Sequence, residues 1–186
     1  MKNLALFMVG LIAFACSCSS NKNIANISVN LNYTNTEQVP TVTGYPYGTA
    51  LPTGGMSLAF PTISTPTNSA SDMSEYHTSS SNLVSVTLDS LNLQITAPAG
   101  QNFNFLDSIE LYLAGTGLPE QLLAYNYNVP KGQTTVALTP APNFNIKNYF
   151  LLDTMNILTN MHINAVPLAG TTVNINSTFV MVANPL

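Results

Sequence analysis

Near the C-terminus, apolar and polar residues alternate with a strict period of two, and this pattern restricts the fold more than anything else in the chain. Met155, Ile157, Met161 and Ile163 alternate with Asn156, Asn160, His162 and Asn164; then Val173, Ile175, Phe179 and Met181 alternate with Asn174, Asn176 and Thr178. Successive side chains of a strand point to opposite faces, so this spacing builds a sheet with one buried and one solvated side, whereas on a helix it would scatter the apolar residues. The same period recurs upstream. It runs through Ile27, Val29, Leu31 and Tyr33, through Met56, Leu58 and Phe60, and through Val84, Val86 and Leu88. Leu91, Leu93 and Ile95 continue with opposite parity, so the phase slips at Asp89-Ser90 and predicts a bulge. Phe103 and Phe105 lead into Ile109, Leu111 and Leu113; Leu123, Tyr125, Tyr127 and Val129 read as one strand, and Val136 with Leu138 as another. Only residues 146–152 suggest a helical turn. About seven or eight strands separated by turn signals predict an all-β, antiparallel β-sandwich.

The first sixteen residues read as an address. Lys2 precedes an uncharged apolar run from Leu4 to Phe14, and Ala13-Phe14-Ala15 places small residues where a signal peptidase reads, directly before Cys16. The run is shorter than the ~20 residues needed to cross a bilayer. It resembles the lipobox of bacterial lipoproteins, which implies removal of residues 1–15 as a lipoprotein signal peptide and lipidation of Cys16. Cys18 is the alternative modified residue, with Ala15 and Ser17 at its small positions. One acyl chain binds a membrane marginally, so two or three on one cysteine make an effectively permanent anchor. Residues 16–24 then form the lipidated cysteine and a polar tether, and residues 25–186 one domain. By the same resemblance, Ser17 after the cysteine implies the outer membrane, with the domain facing the periplasm or the cell surface. No acidic run follows at residues 19–23.

Composition narrows the partners. Charged residues make up 6% of the chain against 46% hydrophobic, so Asn, Thr and Ser hold the surface positions that Lys and Glu usually take. After residue 15 there remain three lysines, no arginine and eight acids, a net charge of −5. Phosphate backbones are bound by clustered Lys and Arg, which excludes nucleic acid as a natural partner. Two cysteines, both beside the expected anchor, give no disulfide framework.

The stretch VTLDSLNLQITAPAGQNFNFLDSIELYLAGTGLPEQLLAY, with the terminal FVMVANPL, is similar to small Bacteroidota-type lipoproteins of uncharacterised role that carry one immunoglobulin-like or late-embryogenesis-like sandwich. The resemblance covers roughly residues 83–186. It implies an immunoglobulin-like form of the sandwich and an envelope address, and carries no activity.

Titratable groups that could converge for catalysis are few. His77 lies near Asp72 and Glu75 in a Ser-rich stretch, at spacings that match no metal-ligand geometry. His162 falls on the polar side of its strand. Asp107, Glu110 and Glu120 flank one strand and its turn, without the oxygen-rich loop Ca²⁺ requires. Hydrolase, nucleotide-binding and zinc-protease signatures are absent from the sequence, and no cofactor or metal site is expected. Residues 34–82 read as a long irregular region around one short strand, the kind of loop that carries binding on a rigid scaffold. Within it, Tyr45 and Tyr47 are the candidate ligand-binding residues, offering aromatic faces to a sugar or a protein. Tyr125 and Tyr127 could extend that aromatic platform, but, sharing a parity with Leu123 and Val129, they are assigned to the core. Asp89-Ser90-Leu91, Asp107-Ser108-Ile109 and Asp153-Thr154-Met155 resemble an O-glycosylation sequon of the same bacterial group, which makes Ser90, Ser108 and Thr154 candidate modification sites. The expected function is non-catalytic binding or scaffolding of an envelope protein; the alternative is carbohydrate binding in a glycan-uptake system.

Overall fold

Most of the predicted alternation becomes pleated strand. The structure, a computed structural model, describes residues 26–60 and 62–184; the expected signal peptide at residues 1–15, the expected tether, Cys16 and Cys18 lie outside the described residues. The strands are β1 (Ile27–Gln38), β2 (Met56–Ala59), β3 (Ile63–Pro66), β4 (Leu83–Ala97), β5 (Leu106–Gly115), β6 (Leu118–Asn126), β7 (Thr135–Pro140), β8 (Thr154–Ile163) and β9 (Thr172–Ala183). Two short helices, α1 (Ser69–Glu75) and α2 (Lys147–Phe150), and a 3₁₀ turn at Phe103–Phe105 complete the elements. None of the helices among the described residues is long and apolar enough to cross a membrane.

The architecture is all-β, and every strand pairing is antiparallel. Hydrogen bonds link the strands in one path, β1-β9-β4-β7-β6-β5-β8-β2, with β3 also on β8. The sheet curls at β7, which pairs with β4 from Leu91↔Leu138 to Gln94↔Thr135 but meets β6 only at Ala124↔Pro140 and Tyr125↔Thr139. Curling turns the apolar side of β1, β9 and β4 toward that of β5, β8 and β3. Val86, Leu91, Phe179 and Met181 from the first half, and Ile109, Leu111, Met161 and Ile163 from the second, are all buried in one core. Phe103 and Phe105, 6.0 Å apart, are buried in the same core just ahead of β5.

Parity in β8 and β9 runs as the pattern predicts: Met155, Ile157, Met161, Ile163, Val173, Ile175, Phe179 and Met181 are all buried. The phase slip in β4 is a bulge, with a register shift between Leu88 and Ser90 that lets Val86 and Leu91 both face inward; a further shift between Leu83 and Ser85 buries Leu83 and turns Val84, expected on the inward face, out to solvent.

Three further elements differ from expectation. Residues 34–82 are far more regular than their Pro and Gly content suggests, holding the end of β1, all of β2 and β3, and α1. Helix α1 is too short to show a helical period; it is held by tertiary contacts, with Met73 buried beneath it and the Tyr33 hydroxyl donating to Asp72 Oδ2 at 2.7 Å. The third difference is in β6. Leu111 pairs with Ala124 and Tyr112 with Leu122, so Leu123 is an extra residue and parity changes there. Leu123 and Ala124 are both buried, and Tyr125 and Tyr127, expected in the core, turn to the outer face.

Candidate binding cleft on the outer sheet face

The polar side of β2, β8, β5 and β6 is where the curled sheet presents chemistry. Register sets it out in rows. His162 stands between Ser57 on β2 and Ser108 on β5; one step along, Asn160 stands between Ala59 and Glu110, and Glu110 pairs with Tyr125 on β6. Ser57, Ser108, Glu110, Tyr127, Asn160 and His162 line an open cleft of about 550 Å³. That volume lies in the range of small-molecule sites.

Glu110 organises the cleft. Tyr112, two residues on along the same face, donates its hydroxyl to Oε2 at 2.9 Å, and Tyr127 donates to Oε1 at 3.0 Å. Each bond to the carboxylate makes phenol ionisation harder, which pushes both hydroxyls above their ordinary pKa. Tyr127 also stacks on Tyr125, with ring centroids 4.6 Å apart and planes 27° from parallel. It is therefore held at both ends while 59% exposed. At the other side of the cleft, a Cβ on Gly55 would lie 2.7 Å from His162 Nε2, so glycine lets the β2 entry close over the imidazole.

Beside Ser108 in the chain, Asp107 forms an ion pair. Lys131 Nζ donates to Asp107 Oδ1 at 2.7 Å and to the Leu106 carbonyl at 3.0 Å, while Asn164 donates to the same carboxylate oxygen. Burial pushes the Asp107 carboxyl up, but the Lys131 and Asn164 hydrogen bonds outweigh it and hold the group below the usual carboxylate range.

The other candidates are dispersed. Tyr45 and Tyr47 are 38% and 50% exposed, on a loop pinned to the β8–β9 connection by Gly48 N–H to the Val166 carbonyl (2.9 Å) and Val166 N–H to the Thr49 carbonyl (2.8 Å). They are not part of the cleft lining. Asp72 is taken up by Tyr33, and Glu75 and His77 are exposed at the end of α1. Asp107, Glu110 and Glu120 do not converge on a common point: the first serves Lys131 and the second the tyrosines. Among the described residues no three of His, Cys, Asp and Glu gather as a metal site. Of the sequon hydroxyls, Thr154 is exposed at the start of β8, Ser90 is half-buried at the β4 bulge, and Ser108 lies in the cleft itself. A second, narrow cavity of about 20 Å³ in the core is lined by apolar side chains with Thr159 and Glu37, and has room for about one water.

The sequence pairs Tyr125 with Tyr127 and offers Glu110, Ser108 and His162 singly, without joining them in one site, and it passes over Tyr112. The usable signal was Glu110-x-Tyr112 beside Tyr125-x-Tyr127, two same-face pairs on adjacent strands. Compared with known proteins, the chain matches no family model and no curated sequence.

Proposed function

We propose that this chain is an exported envelope protein, anchored by lipidation of Cys16, that binds a neutral glycan in the cleft around Glu110. The observation that carries the reading is Tyr127: an exposed aromatic face fixed by stacking on Tyr125 and by Glu110, next to Asn160 and His162. A pyranose ring offers an apolar C–H face and a rim of hydroxyls. The first suits a rigid aromatic ring, and the second suits amide, imidazole and carboxylate partners, the carboxylate forming the stronger, charge-assisted bonds. Because Tyr127 is already ordered, binding costs little side-chain entropy. Charge favours a neutral sugar over a uronic or sialic acid, since the protein is acidic and Glu110 stands in the cleft. The titratable groups support binding over catalysis, because Asp72 and Asp107 are each committed to a structural partner.

The test is a titration of neutral oligosaccharides into the wild type, Tyr127→Ala and Tyr47→Ala. Retention by the wild type, weakened at least about tenfold in Tyr127→Ala and unchanged in Tyr47→Ala, is the expected result. Loss in Tyr47→Ala alone would move the site to the 43–50 loop. Wild type that retains no glycan would sink the reading. The anchor is tested separately with a clickable fatty acid, whose label should disappear in Cys16→Ser combined with Cys18→Ser.

A further inference from the structure

The two ends of the curled sheet are built differently. At one end, β2 and β3 are four residues each, with Pro61 between them and Pro66 closing β3. Short strands and proline are how natural sheets protect an edge from pairing with another chain. At the other end, β1 is twelve residues long and pairs with β9 from Ile27↔Ala183 to Gln38↔Thr172 without a register shift. Its sequence ISVNLNYTNTEQ has no proline, no lysine and no glycine, its single charge, Glu37, sits one residue from the end of the strand, and among the described residues no element pairs with its other side.

The alternation of antiparallel bonding shows which residues own that side. Val39 continues the register and donates its N–H to the Thr171 carbonyl at 2.8 Å, so odd-numbered residues of β1 spend their backbone groups on β9. Ser28, Asn30, Asn32, Thr34, Thr36 and Gln38 then direct theirs to the open edge. All six are exposed and none is charged.

We infer that β1 is a self-association edge, which pairs antiparallel with β1 of a second copy of this chain about a two-fold axis. In full overlap the axis lies at Tyr33, and Asn32 of one copy faces Thr34 of the other, Asn30 faces Thr36, and Ser28 faces Gln38. The side chains suit this pairing because β1 already makes it with β9. Thr34 donates to Asn176 Oδ1 at 2.9 Å, Thr36 to Asn174 Oδ1 at 2.7 Å, and Thr178 to Asn32 Oδ1 at 2.8 Å. In this arrangement Asn32 keeps its Nδ2 donor, and Thr34 Oγ1 an acceptor lone pair, for the second copy. None of the six outward side chains is charged; Glu37 lies on the inward side of β1, and Asp72 is bonded to Tyr33. Since the β2/β3 end is protected, β1 can meet only another β1, and the assembly closes as a dimer rather than growing into a fibre.

The full chain, purified from membranes in detergent, should sediment as two copies per particle. In a Cys18→Ser background, Asn32→Cys combined with Thr34→Cys places cysteines opposite each other across the axis, and mild oxidation should yield a covalent dimer; Asn30→Cys alone, which faces Thr36, should not. Thr34→Pro removes an outward N–H without touching the β9 ladder, and should weaken association at least about tenfold while the protein still melts cooperatively. Asn32→Lys with Thr34→Lys should do the same by repulsion, should the proline variant fail to fold. A wild type of one copy per particle, a dimer that both edge variants leave intact, or particles larger than two copies would each overturn the inference. If removal of residues 19–25 converts a wild-type monomer into a dimer, the edge is covered by its own N-terminal segment, and the inference also fails.

Discussion

Gly55 and His162 touch with no room for a methyl group between them. A Cβ at Gly55 would stand 2.7 Å from His162 Nε2 and 2.4 Å from the Ile163 carbonyl, and Gly55 holds φ at +66°, in the left-handed region. The imidazole is movable, but the Ile163 carbonyl belongs to the β8 ladder and is not. Gly55→Ala should therefore cost at least about 2 kcal/mol, counting the left-handed strain and the clash, and should lower the melting temperature by roughly 4–8 °C. Gly54→Ala, at φ +103° with no atom within 4 Å of its Cβ, pays the backbone strain alone and should be milder. Equal melting temperatures would show that the β2 entry does not rest on His162.

Met161 and His162 are neighbours on β8 that face opposite ways. Met161 is 4% exposed in the core, while His162 lines the outer cleft. Met161→Asp would bury an unpaired carboxylate, at a cost of several kcal/mol against a total stability of about 5–15, and should leave the domain unfolded or nearly so. His162→Asp should shift the melting temperature by only a few degrees. Similar losses in both would mean the parity of β8 does not decide its burial.

Glu37 supplies a pH dependence. It lies on the inward side of β1 beside the small apolar cavity, and burial pushes its carboxyl pKa up. A raised native pKa means the folded protein holds this proton more tightly than the unfolded chain. Its contribution is thus most favourable below the ordinary carboxylate pKa of about 4.3 and is lost as pH rises through the folded value. Glu37→Gln should match the wild type near pH 4 and be more stable at pH 7. The gain should stay under about 1 kcal/mol, because the group is only half-buried and solvent screens it. Melting curves of both proteins across that range provide the check, and parallel curves would show a fully solvated carboxyl.

What the sequence determined by itself was the strand content, the inward parity of β8 and β9, and the bulge at Asp89-Ser90. In each, the burial of a residue follows from its immediate neighbours along one strand, because a pleated backbone converts period two directly into two faces. The cleft was decided only by tertiary structure. Its members come from β2, β5, β8 and the end of β6, which lie far apart in the chain and meet through strand register. The one-residue bulge at Leu123, which shows no phase slip in the sequence, carried Tyr125 and Tyr127 from the core side to the outer side. Helix α1 was hidden for a related reason: seven residues hold too little periodicity to be read, and Tyr33 and the core beneath Met73 supply its stability. The place of β1 at an end of the sheet among the described residues also depends on the whole fold, because only the order of all the strands puts it there.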